Sequence, residues 1–280
     1  MRMRYPTMLA GAGLAVWVLG GAALAGPPPG LRLAGEYKVP AIESEVGGIY
    51  PHPSNDDLYF LGANKDPAYT VKQQPKLKPE HRGKLLTVNR HTGQVVKAES
   101  VGVSTFGGIA SDGTRLFISS VQPPEVVVWS TARGAVERRI PLDAPAGGLE
   151  YDAGRNRLLA QIYLKAPHLA VIDVKTGATV GTLWSDESAM DLKLVSGDLL
   201  CTWVSGFGAG AFSELRRIQP DTGKVTGRVR LEGLHSSMAP LDRKLASVDG
   251  FISLVTTDKE RGEVKIQRFA YDGKSVGWTL

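Results

Sequence analysis

Residues 172–177 read Ile172-Asp173-Val174-Lys175-Thr176-Gly177, and this stretch decides the fold because its ending recurs along the chain. A run of strand-forming residues precedes it, and a Thr-Gly turn closes it. Glycine at such a turn supplies the positive φ that a tight connection between antiparallel strands requires. The signature occurs five times, with its glycines 41, 43, 46 and 50 residues apart: Thr92-Gly93, Arg133-Gly134, Thr176-Gly177, Thr222-Gly223 and Asp272-Gly273.

A second signature lies between these turns. A polar turn such as Ser111-Asp112-Gly113 precedes another strand-like run, and in the fifth copy Asp242-Arg243 stands before Leu245 in the same way. Upstream of the turn we find small residues, which we predict to lie in the strand nearest a crowded central channel. They are Gly47-Gly48, Gly107-Gly108 and Gly147-Gly148, replaced by Met190-Asp191 and Ser236-Ser237 in the last two copies.

Each repeat therefore predicts four antiparallel strands, which is the blade of a β-propeller. The fold class is all-β, and no helical periodicity of useful length follows the first 25 residues. Five repeats favour five blades, with six or seven left open for degenerate copies. Gly35–Val39 is an extra strand at the N-terminal side, and we expect it to flank the last blade and close the ring.

The repeat resembles the broad superfamily of YVTN-repeat and quinoprotein-like propellers. The resemblance is carried by 172–177 and by Ile218-Gln219-Pro220-Asp221-Thr222-Gly223-Lys224, with a weaker copy at 88–94. It covers nearly the whole chain after the leader and implies a fold. Quinone-binding relatives have a Trp shortly after the Thr-Gly turn, whereas here only Trp184 follows one, seven residues after Gly177.

The N-terminal residues predict export. Arg2 and Arg4 precede an apolar run from Met8 to Leu19, and Ala23-Leu24-Ala25 supplies small residues for a signal peptidase. We divide the chain into a signal peptide at 1–25, a Pro/Gly-rich linker at 26–34 and one propeller domain at 35–280 with an insertion at 64–83. An uncleaved N-terminal anchor is the alternative. The expected location is periplasmic or secreted, with no membrane anchor in the mature chain.

Composition excludes several classes of function. The net charge of +5 is too small to favour a nucleic-acid partner. The single cysteine, Cys201, allows no internal disulfide, and its apolar neighbours predict a buried side chain. No calcium loop, histidine pair at metal spacing or nucleophile motif is present. The sequence therefore does not identify a cofactor. A divalent cation in the central channel is one alternative.

Propeller topology places the longer loops and the connections between blades on one face, where a site is expected. Acidic residues and a histidine there are suited to hold a cation or to transfer protons. The alternative is that each is a solvated surface residue. The candidate ligand-binding residues are Glu45, Asp191, His235, Glu187, Thr105, Asn64 and His168.

Two classes of function follow from this sequence. The first is a module that binds an unknown small ligand or protein through the loops at the channel mouth. The second is an extracytoplasmic enzyme, such as a lyase, a cyclase or a metal-assisted hydrolase, that uses the acids and the histidine. The binding module is favoured because no catalytic constellation has a recognisable spacing, although propellers host both classes.

Overall fold

The computed structural model describes residues 32–39, 44–52, 57–64, 83–89, 91–103, 108–121, 123–162, 168–183, 189–204, 212–231, 245–248, 251–258 and 263–271. The predicted signal peptide at 1–25 and most of the predicted linker lie outside these residues, as do residues 65–82 of the predicted insertion. None of the described residues forms a helix with the length and apolar character needed to span a bilayer.

Twenty strands in these ranges form five four-stranded antiparallel sheets, which confirms the predicted fold class. The first sheet contains β2 (Ser44–Pro51), β3 (Asp57–Asn64), β4 (Gly83–Asn89) and β5 (Val95–Val103). The second contains β6 (Ile109–Ser111), β7 (Arg115–Ser120), β8 (Glu125–Ser130) and β9 (Ala135–Pro141). The third contains β10 (Ala146–Asp152), β11 (Arg157–Ile162), β12 (His168–Asp173) and β13 (Thr179–Thr182).

The last two sheets complete the arrangement. The fourth contains β14 (Ala189–Val195), β15 (Asp198–Val204), β16 (Ser213–Ile218) and β17 (Val225–Arg230). The fifth contains β18 (Leu245–Val248), β19 (Phe251–Asp258), β20 (Glu263–Ala270) and, as its outer strand, β1 (Arg32–Val39). The predicted N-terminal strand is therefore present and pairs with β20, with Glu36 opposite Gln267.

The first strands of the five sheets form the centre of the molecule. They contact one another in the order β2, β6, β10, β14 and β18, and β18 in turn contacts β2. Apolar clusters fill the space between neighbouring sheets: Leu116 and Val127 pack toward the first sheet, whereas Phe117 and Val128 pack toward the third. Sheets that pack face to face around a common axis form a β-propeller.

In the fifth repeat, the strand assignment predicted from the sequence is wrong by one strand. Leu245 begins the inner strand β18 of the last sheet, whereas its position after Asp242-Arg243 had predicted a second strand. Only two residues separate β18 from β19, so the sequence pattern had placed the polar turn one strand too early. His235 consequently lies ten residues before the inner strand, outside the described residues.

The recurring glycine turns have the backbone conformation that the sequence predicts. Gly93, Gly134, Gly177 and Gly223 have φ of +70°, +59°, +78° and +73°. In each turn the glycine N–H donates to the carbonyl four residues earlier, as from Gly177 to Asp173 at 2.8 Å. The Asp173 carboxylate also accepts the backbone N–H of Thr176 at 2.6 Å, and these bonds explain why Thr-Gly recurs.

We expect Gly177→Val to lower the free energy of unfolding by about 1–2 kcal/mol, because a β-branched residue is strained at positive φ. Chemical denaturation of the purified protein measures the effect. Gly181→Val is the control, since Gly181 lies in the exposed strand β13 with open space where a Cβ would stand. Equal stability of the two variants would contradict the turn assignment.

The predicted glycines of the inner strands allow neighbouring sheets to approach closely. A Cβ on Gly148 would lie 2.7 Å from Asp191 Cα, and a Cβ on Gly108 would lie 2.4 Å from Leu149 N. Both distances are too short for any side chain, so the backbones of β6, β10 and β14 touch at this level. The packing explanation for these glycines is confirmed, and the contact narrows the centre of the ring.

Candidate functional site

The propeller has two different ends. The short turns between the first and second strands and between the third and fourth strands lie at one end, which we call the turn face. The ends of the strands that the second-to-third loops join lie at the other end, together with the strand ends that the connections between sheets join. We call this end the loop face, and it is the face on which the sequence predicts a site.

The structure brings some of the predicted site residues to the loop face. Glu45 lies near the start of β2, and Asn64 ends β3 opposite Ser44, so both belong to the same end of the first sheet. His168 begins β12 and is half-buried opposite Ile162. Thr105, Glu187 and His235 lie outside the described residues.

Asp191 is the predicted site residue with the most informative surroundings. It occupies the place of a channel glycine in β14, and its side chain is 1% exposed. Its Oδ1 accepts the backbone N–H of Leu192 at 2.9 Å and lies 3.7 Å from Lys193 Nζ. A buried carboxylate requires partners of this kind. The sequence analysis did not predict Lys193 as one of them.

Lys193 is the centre of this group of buried side chains. Its side chain is 1% exposed, yet its ammonium lies among oxygen atoms from three inner strands. Nζ donates to the carbonyl oxygens of Ile109 at 3.1 Å and Leu149 at 3.3 Å, and it lies 3.5 Å from Glu150 Oε2. One cation therefore joins β6, β10 and β14 near the axis.

A fourth inner strand contributes an aromatic ring. Lys193 Nζ lies 5.4 Å from the centre of the Tyr50 ring, a distance at which a cation is attracted to the ring face. The Tyr50 hydroxyl donates to the carbonyl oxygen of Ser111 at 3.4 Å, and burial raises its pKa. We call Tyr50, Glu150, Asp191 and Lys193 the axial cluster.

The axial cluster contains two carboxyl groups for one ammonium. Burial is the largest influence on Glu150 and raises its pKa; Lys193 and the Leu194 N–H oppose this, while Asp191 adds to it. The result is a pKa of about 7. Glu150 Oε2 makes no hydrogen bond among the described residues, although it faces the ammonium. Glu150 is thus a carboxyl group that exchanges a proton near neutral pH.

We expect Glu150→Gln to remove a pH dependence of stability. The folded pKa is raised above that of the unfolded chain, so the folded state binds the extra proton between pH 4.5 and about 7. Stability from this group is present below pH 4.5 and is lost as the pH rises to about 7, by an amount on the order of 2 kcal/mol. Denaturation series at pH 5 and pH 8 measure it. A variant that keeps the wild-type difference between the two pH values would show that Glu150 does not titrate in this range.

Three members of the axial cluster were missed by sequence reasoning although the sequence carried a signal. Tyr50, Glu150 and Lys193 each stand two residues after the channel-facing positions Gly48, Gly148 and Asp191. Residues two apart in a strand share a face, so they also point into the centre. Among the described residues no three His, Cys, Asp or Glu side chains converge as a metal site.

Cys201 agrees with its predicted structural role. It is 1% exposed in β15 and packs in the apolar cluster between the third and fourth sheets. Burial raises the pKa of its thiol, which keeps the sulfur protonated at neutral pH.

Comparison with known proteins finds solved structures with a similar fold. No known family and no curated protein matches the sequence. Among solved structures, Myxococcus xanthus glutaminyl cyclase superposes with a TM-score of 0.61 at 19% identity, covering 86% of this chain and 97% of that one. The WD40 repeats of RRP9 give 0.50 at 9% identity, with 86% of each chain covered. Kuenenia stuttgartiensis hydrazine synthase gives 0.48 at 13% identity, covering 88% of this chain and 61% of that one.

The first two of these similarities confirm the predicted resemblance at the level of the fold. At 9–19% identity they establish a propeller, and propellers serve as cyclases and as repeat domains alike. The YVTN type of repeat and the export signal remain predictions.

Proposed function

We propose that this protein is an extracytoplasmic binding propeller that receives a ligand in the axial mouth of its loop face. The observation that carries the proposal is the axial cluster. Lys193 and its partners join four inner strands near the axis, and in this proposal the ligand reaches Asp191 from the loop face. Asp191 precedes Lys193 by two residues and lies about 7 Å nearer that mouth.

The charges favour a ligand with a cationic group. The axial cluster contains two carboxyl groups, Asp191 and Glu150, and one ammonium, so its acidic groups outnumber its basic group. A low-dielectric centre strengthens the attraction of such charges for a cation. We therefore propose a primary amine or a divalent cation as the bound group, carried by a small ligand or by a protein.

The proposal includes export from the cytoplasm. The basic start, apolar run and small residues before Gly26 form a cleavable leader in this proposal, and the mature chain then acts outside the cytoplasm. Mass spectrometry of the exported protein is expected to give an N-terminus near Gly26. An intact Met1 would overturn this part of the proposal.

Isothermal titration tests the binding proposal on the mature protein at pH 8. The probes are Ca²⁺, Mg²⁺, Zn²⁺ and a lysine-containing tripeptide, each titrated at constant ionic strength. We expect one probe to bind with a stoichiometry of one. Asp191→Asn is expected to weaken this binding about tenfold or more. Asp143→Asn is the matched control, because Asp143 is exposed in a connection on the same face. No saturable binding, or equal weakening by both variants, would overturn the proposal.

A second candidate function rests on Glu150. A carboxyl group with a pKa of about 7 suits general acid–base catalysis at neutral pH, and the similar glutaminyl cyclase shares the fold over most of both chains. In a glutaminyl cyclisation the α-amine attacks the side-chain carboxamide, its proton passes to the leaving nitrogen and ammonia is released. Glu150 would carry that proton between the two nitrogens.

Ammonia release from an N-terminal glutaminyl peptide tests this candidate. We expect turnover by the wild-type protein and its loss in Glu150→Gln, with a bell-shaped pH profile whose acidic limb lies near pH 7. Absence of turnover by the folded wild-type protein would overturn the catalytic candidate and leave the binding proposal in place.

A further inference from the structure

The outer strand of the first sheet, β5, leaves its edge exposed to solvent. It pairs with β4 and has no other strand partner among the described residues. Its nine residues make it longer than the outer strands of the second, third and fourth sheets, and it contains no proline. Its first four residues, 95–98, are all exposed. The backbone N–H and C=O groups along such an edge can pair with a further strand.

The outer strands of the next three sheets have features that protect their edges. β9 ends in Pro141 and carries the adjacent cations Arg138 and Arg139. β13 has only four residues, and in β17 only Arg230 is exposed. Proline, charge and short length are common means by which a sheet edge avoids pairing with another chain. β5 has neither a proline nor a short length, which sets it apart from these three strands.

The charged residues of β5 form a self-complementary pattern. Lys97 Nζ lies 2.7 Å from Glu99 Oε1, and residues two apart in a strand share a face. Glu99 lies beside the glycine turn of the second sheet, since a Cβ on Gly134 would be 3.0 Å from its Oε1. The Lys97 side chain is 58% exposed, so its ammonium is accessible to a second carboxylate.

Antiparallel pairing of two copies about Ala98 satisfies this pattern. Lys97 of each copy is then opposite Glu99 of the other, and the small Ala98 side chains meet at the centre. Opposite residues of antiparallel strands have Cβ atoms about 4.5–5.5 Å apart on the same face, so the four charges alternate in sign. Registers centred on Lys97 or on Glu99 would instead place like charges opposite each other, which destabilises a sheet.

We propose that β5 pairs with the β5 strand of a second copy and joins two four-stranded first sheets across a two-fold axis. The interface is isologous, because the same strand is used on both sides. Val95 and Val96, which are 45% and 62% exposed, lie at both ends of the paired segment and gain apolar contacts there. A pairing this short buries little area, so the dimer is weak and depends on concentration. The inference is independent of the axial site, because β5 contributes no member of the axial cluster.

Sedimentation equilibrium of the mature protein tests the proposal over concentrations from about 1 μM to about 1 mM. We expect the wild-type protein to change from monomer to dimer within this range. Lys97→Glu places two carboxylates opposite each other in both of the symmetric contacts, so we expect the dimer Kd to rise about tenfold or more. Glu99→Lys is expected to have the same effect through opposed ammonium groups.

An equimolar mixture of these two variants tests the register. The Lys97→Glu chain has two carboxylates on this strand and the Glu99→Lys chain has two ammonium groups, so one copy of each meets opposite charges in both contacts. We expect the mixture to dimerise with a Kd near that of the wild-type protein. A chain that carries both reversals should dimerise in the same way, because it exchanges the two charges and keeps the pattern.

Lys175→Glu is the matched control. Lys175 is exposed in the glycine turn of the third sheet, so the same change of charge is made away from β5. Its dimer Kd should equal that of the wild-type protein. Exposed ion pairs contribute little to stability, so every variant is expected to fold, and thermal melting verifies this. The proposal is overturned if the wild-type protein stays monomeric over the whole range, if Lys97→Glu dimerises as tightly as Lys175→Glu, or if the mixture of the two reversed variants does not recover the dimer.

Discussion

Lys193→Met is expected to lower the free energy of unfolding by about 4 kcal/mol, the largest effect of any single substitution proposed for this protein. The methionine fills similar volume but leaves Glu150 and Asp191 without their ammonium. It also removes the donor from the Ile109 and Leu149 carbonyl oxygens. Breaking a buried ion pair from one side is costly because the remaining charge stays uncompensated. Guanidinium chloride unfolding at pH 8 measures the change.

Two further variants make the prediction specific to the charge. Lys224→Met, at an exposed lysine in a turn, should change stability by less than about 0.5 kcal/mol. Adding Glu150→Gln to Lys193→Met should recover part of the lost stability, since one uncompensated carboxylate disappears. If Lys193→Met behaves like Lys224→Met, or if the double variant is less stable than the single one, the axial cluster does not hold the inner strands together.

Gly148→Ala is expected to lower the free energy of unfolding by about 3 kcal/mol. The added Cβ would lie 2.7 Å from Asp191 Cα and 2.9 Å from Leu192 N, and both are backbone atoms of the next inner strand. Backbone cannot move aside as a flexible side chain does, so the third and fourth sheets must separate. Equilibrium denaturation compared with the wild-type protein gives the value.

Gly154→Ala serves as the comparison for this substitution. Gly154 follows β10 in an exposed turn, and its nearest contact would be Asp152 Oδ1 at an ordinary 3.5 Å. Its alanine variant should be within about 0.5 kcal/mol of the wild-type protein. A Gly148→Ala variant of equal stability would mean that the inner strands are not in contact at this level.

The fold could be predicted because its signals are local. A Thr-Gly turn requires positive φ at one residue, and Gly93 and Gly177 meet that requirement in the structure as the sequence indicates. The pairing of Gly35–Val39 with the last sheet also followed from counting strands. The strand assignment in the fifth repeat was wrong. Asp242-Arg243 resembles the polar turns that join the first two strands in the other repeats, so Leu245 was assigned to a second strand.

The candidate site was harder to predict because its contacts join residues distant in sequence. Asp191 stood out as an acid in a glycine position, but its partner Lys193 interacts with carbonyl groups 84 and 44 residues away. Backbone carbonyls have no sequence signature, so the surroundings of that ammonium could not be read from the chain. Lysine side chains are usually solvated. Lys193 is buried because its strand, β14, lies at the centre of the propeller.

The pairing of β1 with β20 has a consequence for how the chain folds. Glu36 lies opposite Gln267 although most of the sequence separates them, so this contact is among the most non-local in the molecule. Such contacts slow folding, because the entropy of a long loop must be lost before they form. Until β1 arrives, β20 is an open sheet edge that the β1 strand of a second copy is equally able to fill. We therefore expect the β1–β20 pairing, which completes the fifth sheet, to be the place where domain swapping between two copies occurs.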